Sequence, residues 1–219
     1  MTAKIRHFAT MRARPVGIAS LALGIAVIGA ATAGIDDPLV SMAVYTSALM
    51  SLNQLAPPLL LLGLPPSWRA KARHSLLGVW LLDPWVAISV FIALTTVVSL
   101  PQVFDRSLAN AVYAAPLGIV ELIAGTILWF QFFPAGSSRV PTWRQGLLGW
   151  LAGLPMMAVG IVWIWSDHVL YAPYLDVICE WNVTPLQDQR WAGMLMILFG
   201  LPLQVLSAWL ISGILFDAN

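Results

Sequence analysis

Residues 192–216 read AGMLMILFGLPLQVLSAWLISGILF, twenty-five positions in a row without a charged side chain. A helix that crosses a membrane needs about 20 predominantly apolar residues. The run meets that length and shows none of the period-two alternation of a barrel strand. Five further apolar runs precede it, at about 16–34, 39–64, 84–100, 111–133 and 147–166, of which only 111–133 holds a charged residue, Glu121. The 219-residue chain is 59% hydrophobic and 10% charged, with a mean hydropathy of +0.83. An ordinary soluble domain is about 25% charged. The expected fold is therefore an all-α integral membrane protein, a bundle of about six transmembrane helices forming one domain over 1–219. A net charge of +1 gives no footing for nucleic acid. The single cysteine, Cys179, excludes an internal disulfide and any CxxC site.

The distribution of Lys and Arg sets the expected orientation. Lys4, Arg6, Arg12 and Arg14 precede the first run, Arg69, Lys71 and Arg73 follow the second, and Arg139 and Arg144 follow the fourth. Only Arg106 and Arg190 fall on the other side. The bias predicts that both termini are cytoplasmic, N-in/C-in. The basic start followed by small residues at 29–33 has the form of a cleavable signal peptide; with the segment retained, it reads as the first membrane helix. Tryptophan, which favours lipid–water interfaces, gives the same topology. Trp68, Trp129, Trp143, Trp150 and Trp209 are expected near the inner face, and Trp163, Trp165, Trp181 and Trp191 near the outer. In the first run Ala22, Ala26 and Ala30 share one face, which suits close packing within the chain or against a partner subunit.

Several polar residues interrupt the pattern. Asp83-Pro84 is read as a helix cap, because Pro favours the first helical position and Asp the one before it. On that reading 74–82 lies along the inner interface. Glu121 falls near the middle of the fourth run, where a carboxylate costs on the order of 3 kcal/mol. It is expected to be protonated or paired, with Asn53, Gln54 and Gln204 as candidate partners; a partner helix or a proton path is the functional alternative. His7, His74 and His168 lie on different sides of the membrane and cannot share a metal. Met42, Met50, Met156, Met157, Met194 and Met196 offer soft donors for Cu(I) but are also ordinary core filler. Asp167, Asp176, Glu180 and Asp188, beside His168 and Cys179, read as a solvated acidic loop because no ligand spacing among them is diagnostic, with a metal site as the alternative. No nucleophile–base pair, phosphate loop or haem attachment motif is present, and no enzyme activity is expected.

Two stretches go beyond generic membrane sequence. One is Ala56-Pro57-Pro58-Leu59-Leu60, within 55–63 and followed by Pro65; the other is Pro185-Leu186-Gln187-Asp188-Gln189-Arg190-Trp191-Ala192-Gly193-Met194-Leu195-Met196. Together they resemble the CtaG family of cytochrome c oxidase assembly proteins. A weaker likeness covers 98–134, through Pro101, Phe104-Asp105 and Trp129-Phe130, and 170–174 also fits. The family carries histidines that suggest copper handling. In this chain those positions fall on Tyr45, Leu49 and Ser99, and near Tyr113 and Leu117.

Leu has no donor atom and Tyr is a poor ligand for Cu(I), so the substitutions imply a divergent member with no metal site of the family type and no cofactor. Pro57, Pro58, Asp188, Gln189, Gly193 and Met196 are the family-motif positions expected to serve the fold or a partner contact. The resemblance implies a non-catalytic protein of the bacterial plasma (inner) membrane, bound to haem-copper oxidase subunits as assembly factor or accessory subunit, with membrane lipid as its solvent. A copper carrier for the oxidase copper centre is the alternative, with Met, Cys179 or Glu121 replacing the histidines. A transporter with Glu121 in its path is a third reading.

Overall fold

In lipid, a backbone must satisfy its own hydrogen bonds, and a helix does so within one segment. The computed structural model describes residues 2–109, 111–133, 142–175 and 183–217; these hold α-helices and no strand. In order they are α1 (Thr2–Asp36), α2 (Met42–Met50), α3 (Ala56–Gly63), α4 (Pro66–Arg73), α5 (Leu76–Leu81), α6 (Pro84–Val98), α7 (Pro101–Ala109), α8 (Ala111–Trp129), α9 (Thr142–Trp165) and α10 (Pro185–Asp217). A π-helical turn (Ser51–Leu55) joins α2 to α3, and a 3-10 turn (Ala172–Tyr174) lies between α9 and α10.

Four stretches are long and apolar enough to cross a membrane unaided: Val16–Asp36, Val112–Trp129, Trp143–Trp165 and Pro185–Gly213. Two more are bent pairs. Met42–Gly63 turns through 113° into α4, and Pro84–Val98 turns through 68° into Pro101–Leu108. Counting each pair as one span gives the six expected. Prolines mark both bends, since Pro65 and Pro66 open α4 and Pro101 opens α7, and a proline disfavours helical backbone at the residue before it. The Asp83 cap is present: its Oδ1 accepts from the Trp85 and Val86 amides at 3.0 and 3.2 Å. The last helix begins about two turns earlier than its apolar run.

The connections gather at two ends. At one, Gln131 Nε2 donates to the Leu82 carbonyl at 3.1 Å and an Arg73 guanidinium NH to that of Phe130 at 3.1 Å. At the other, the Tyr171 hydroxyl donates to the Ser99 carbonyl at 2.9 Å and the Tyr174 hydroxyl to that of Pro38. The core divides the same way. One apolar cluster holds Tyr45, Leu52, Val98, Ala114, Met156 and Met196. The second holds Leu61, Phe91, Ala124, Ala152 and Leu203, one from each of the same helical runs. Between these positions along the chain fall Asn53, Gln54, Thr95 and Glu121, all buried.

Close backbone approach holds the longest pair, α9 and α10. A Cβ on Gly193 would lie 2.6 Å from the Gly160 carbonyl oxygen, and one on Gly160 would lie 2.9 Å from that of Gly193. Only glycine at both sites permits this spacing. On α1 the Ala22, Ala26 and Ala30 face does not pack within the chain, the first of the two packings expected for it. Ala22, Ala26 and Ala30 are exposed, whereas Ser20 Oγ donates to the Leu59 carbonyl at 2.7 Å and Gly24 abuts Leu60. Helix α3 thus selects the Ser20–Gly24 side. The interfacial reading of tryptophan also needs correction at two positions, because Trp129 and Trp163 are buried in the core. Trp181 lies outside the described residues.

Candidate functional site

The Ala56-Pro57-Pro58 run shapes the backbone that presents the buried polar residues. Prolines at 57 and 58 have no N–H, so the carbonyls of Asn53 and Gln54 lose their helical donors. The ring of each proline also crowds the carbonyl four residues back. The chain widens into the π-helical turn, where the Ala56 N–H donates to the Ser51 carbonyl instead. Turns of this kind occur often at functional sites.

Facing that turn, α8 offers Glu121, 2% exposed, and one turn later Gly125. Asn53 Nδ2 donates to Glu121 Oε2, and Gln54 Nε2 donates to Asn53 Oδ1 at 2.6 Å. Gly125 makes this approach possible, since any Cβ there would overlap the Asn53 carbonyl oxygen. Of the three expected partners, Asn53 binds Glu121 directly and Gln54 supports it from behind. Gln204 does not take part: its Nε2 donates to the Trp150 carbonyl at 3.3 Å.

Beside Glu121 lies a cavity of about 20 Å³ lined by Thr46, Leu49, Met50, Thr95, Val98, Ser99, Phe104, Trp163 and Met196. That volume admits one water-sized guest. Thr46 Oγ1 is buried with no hydrogen-bond partner among the described residues. The spacing of Thr46, Met50 and Asn53 by four and three residues puts them on one helical face, a signal that the sequence carries. Thr95 was likewise missed, being hidden in an apolar run.

Three of the five positions that the resemblance assigns to histidine meet here. Leu49 and Ser99 line the cavity, and Tyr45 packs on Phe104 with ring centroids 5.6 Å apart. Leu117 packs against the same core cluster, whereas Tyr113 is 59% exposed on the outside of α8. A phenol, a hydrocarbon and a hydroxyl do not make a soft-metal donor set. Copper cargo of the histidine-bound kind does not fit these residues. The soft donors at the cavity are the thioethers of Met50 and Met196. Among the described residues, no three His, Cys, Asp or Glu side chains come together.

A second polar centre closes the end where Tyr171 and Tyr174 anchor. Asp188, expected in a solvated loop, is 1% exposed in the first turn of α10. It accepts from Ser41 Oγ at 2.7 Å and from the Met42 and Ala43 amides at 2.6 and 3.2 Å. The carboxylate thus caps α2, where the helix dipole favours negative charge. Gln189, fully buried, accepts from the Leu170 amide at 2.8 Å through Oε1. Its Nε2 donates to the Trp163 and His168 carbonyls at 3.3 and 3.4 Å. Trp163 Nε1 donates to the Tyr171 hydroxyl at 2.9 Å. Burial first, and the nearby Asp105 charge to a lesser degree, push that hydroxyl well above the ordinary phenol range. Gly193 and Met196 continue the same buried helix face, and Pro57 is buried while Pro58 is half-buried. Asp167 and His168 are exposed; Asp176, Cys179 and Glu180 lie outside the described residues.

These two centres are built from the stretches that stand out in the sequence, the Ala-Pro-Pro run and the Asp-Gln signature. Comparison with curated proteins and with solved structures found no match. A family model described as cytochrome c oxidase caa3 assembly factor matches residues 6–215, nearly the whole chain. The chain therefore belongs to the cytochrome c oxidase caa3 assembly factor family (Caa3_CtaG).

Proposed function

We propose that this chain is a non-catalytic membrane scaffold of a haem-copper terminal oxidase, cytochrome c oxidase, acting as an assembly factor or staying as an accessory subunit. One observation carries the reading. The elements that set the backbone are formed in this chain, namely the proline-driven turn, the Asp188 cap and the Gly160–Gly193 contact, while the positions of the resembled histidines hold Tyr45, Leu49 and Ser99. A scaffold needs the first set and not the second. The exposed face of Ala22, Ala26 and Ala30 suits close approach of an oxidase helix. Nine of the eleven Lys and Arg residues support cytoplasmic termini in a bacterial plasma membrane. Deleting the gene in its host and measuring a-type haem absorbance in membranes tests the role. Oxidase content should fall, and added copper should not restore it. Full restoration by copper alone would contradict the scaffold reading.

A second reading is supported by Met50, Met196 and Glu121 lining one cavity, which would let Cu(I) be carried as cargo on thioethers. Purified protein incubated with Cu(I) tests it. Copper retained near one per chain, and lost on joint Met50→Leu and Met196→Leu substitution, would favour the carrier. No retention would leave the scaffold alone.

A further inference from the structure

The bend of 113° after Gly63 turns α4 out of the direction of its span. Helix α4 carries Arg69, Lys71 and Arg73 and no acid, and its first turn holds the exposed Trp68. Ser75 then starts α5, accepting from the Gly78 amide at 3.0 Å. The turn between the two helices is tight, since a Cβ on Gly78 would overlap the Ala72 carbonyl oxygen. Helix α5 presents Leu76 at 91% exposure, Leu77 at 74% and Trp80 at 75%. A surface this apolar belongs in lipid, and its basic neighbour belongs at the level of the headgroups.

The cations of α4 are only partly engaged by the protein. The Arg73 guanidinium reaches the Phe130 carbonyl and that of Arg69 sits 5.9 Å from the Phe133 ring centre. The Nε atoms of both arginines have no hydrogen-bond partner among the described residues. Lys71 is exposed. The nearest carboxylate in sequence, Asp83, is committed to capping α6. Arg69 and Arg73 share one face of α4 and Lys71 lies on the opposite one; two arginines beside an apolar segment match a phosphate at the membrane surface with acyl chains beneath it.

We propose that the α4–α5 elbow is a binding site for an anionic phospholipid. Arg69 and Arg73, four residues apart on one face of α4, take the headgroup phosphate, Lys71 on the opposite face adds to the attraction of the anionic surface, and Leu76, Leu77 and Trp80 enter the acyl layer. The site does not depend on the oxidase reading.

Native mass spectrometry of the full-length chain tests this, with detergent-purified protein offered equal phosphatidylglycerol and phosphatidylcholine of matched acyl chains. The expected result is a several-fold preference for retained phosphatidylglycerol that weakens as ionic strength rises. Joint Arg69→Gln, Lys71→Gln and Arg73→Gln substitution should abolish the preference. Because Arg73 also holds the Phe130 turn, the single Arg69→Gln variant serves where the triple one misfolds, and should reduce the preference. Arg144→Gln, on the same side but outside the elbow, should leave it unchanged. Equal retention of both lipids by the parent protein would overturn the proposal. So would a preference that survives the substitutions, or a parent without preference whose variants release an acidic protein partner.

Discussion

Among the described residues two carboxylates are buried, Asp188 and Glu121, and their surroundings differ. Asp188 receives a hydroxyl and two backbone amides at the start of α2. Glu121 receives one amide from Asn53, beside a cavity whose Thr46 hydroxyl has no hydrogen-bond partner among the described residues. A carboxylate with three donors at a helix N-terminus is a lock, since its charge is compensated and its neighbours depend on it. A carboxylate with one donor, in the middle of a span, is costly for the fold. Its presence points to a requirement other than stability.

The sharpest way to break the comparison is to delete each side chain's charge and read stability in detergent. Asp188→Ala leaves three buried donors unpaired, each costing about 1–3 kcal/mol. The loss should be roughly 3 kcal/mol or more, visible as a large drop in thermal midpoint or as failure to purify. A midpoint near the parent's would mean the cap contributes little. Next in size is Gly125→Ala, which forces α8 away from the π-helical turn and should cost about 1–3 kcal/mol through overpacking. Unchanged stability there would show that the Asn53–Glu121 approach is not close in solution.

Tyr171 sharpens the account of the locked end. Its folded-state affinity for the proton exceeds the unfolded one, so its contribution is complete below pH 10 and lost as pH rises beyond it. Each pH unit above about 10 should remove up to about 1.4 kcal/mol until the folded group also ionises. Tyr171→Phe should cost about 1 kcal/mol at neutral pH and flatten the alkaline slope. An identical slope in that variant would remove Tyr171 from the explanation. The smallest effect is expected for Glu121→Gln, which keeps an acceptor for Asn53 and should stay within about 1 kcal/mol of the parent. A larger loss would make Glu121 a structural residue like Asp188. Proton flux into proteoliposomes, unchanged by Glu121→Gln, would also set aside the transporter reading; its abolition in a folded variant would revive it.

The bundle was legible because uncharged runs of membrane length admit few alternatives, and Asp83-Pro84 was legible because capping is a local matter of two adjacent residues. Asn53 and Gln54 were legible as partners for Glu121 because a buried carboxylate must find polar groups, and few exist. Gln204 met the same criterion but turns to the Trp150 carbonyl across α9, a choice set by packing. Asp188 was misread because it was grouped with Asp167, Asp176 and Glu180 of the connection before α10, while its partners Ser41, Met42 and Ala43 lie far along the chain. Trp129 and Trp163 were misread because the same side chain serves as interface anchor or as core. Which side of α1 packs within the chain was not legible because small residues occur all round that helix, and the choice depends on α3.

The proposed scaffold attaches to an oxidase without supplying its metal. Purifying the tagged full-length protein in mild detergent and identifying co-purifying chains, with haem and copper assayed on the same sample, tests it most directly. The account predicts oxidase core subunits and haem in the preparation, at near-equal stoichiometry for a resident subunit or in trace for an assembly factor, with no copper on chain freed of them. Copper bound to the isolated chain with no oxidase subunit present would contradict it.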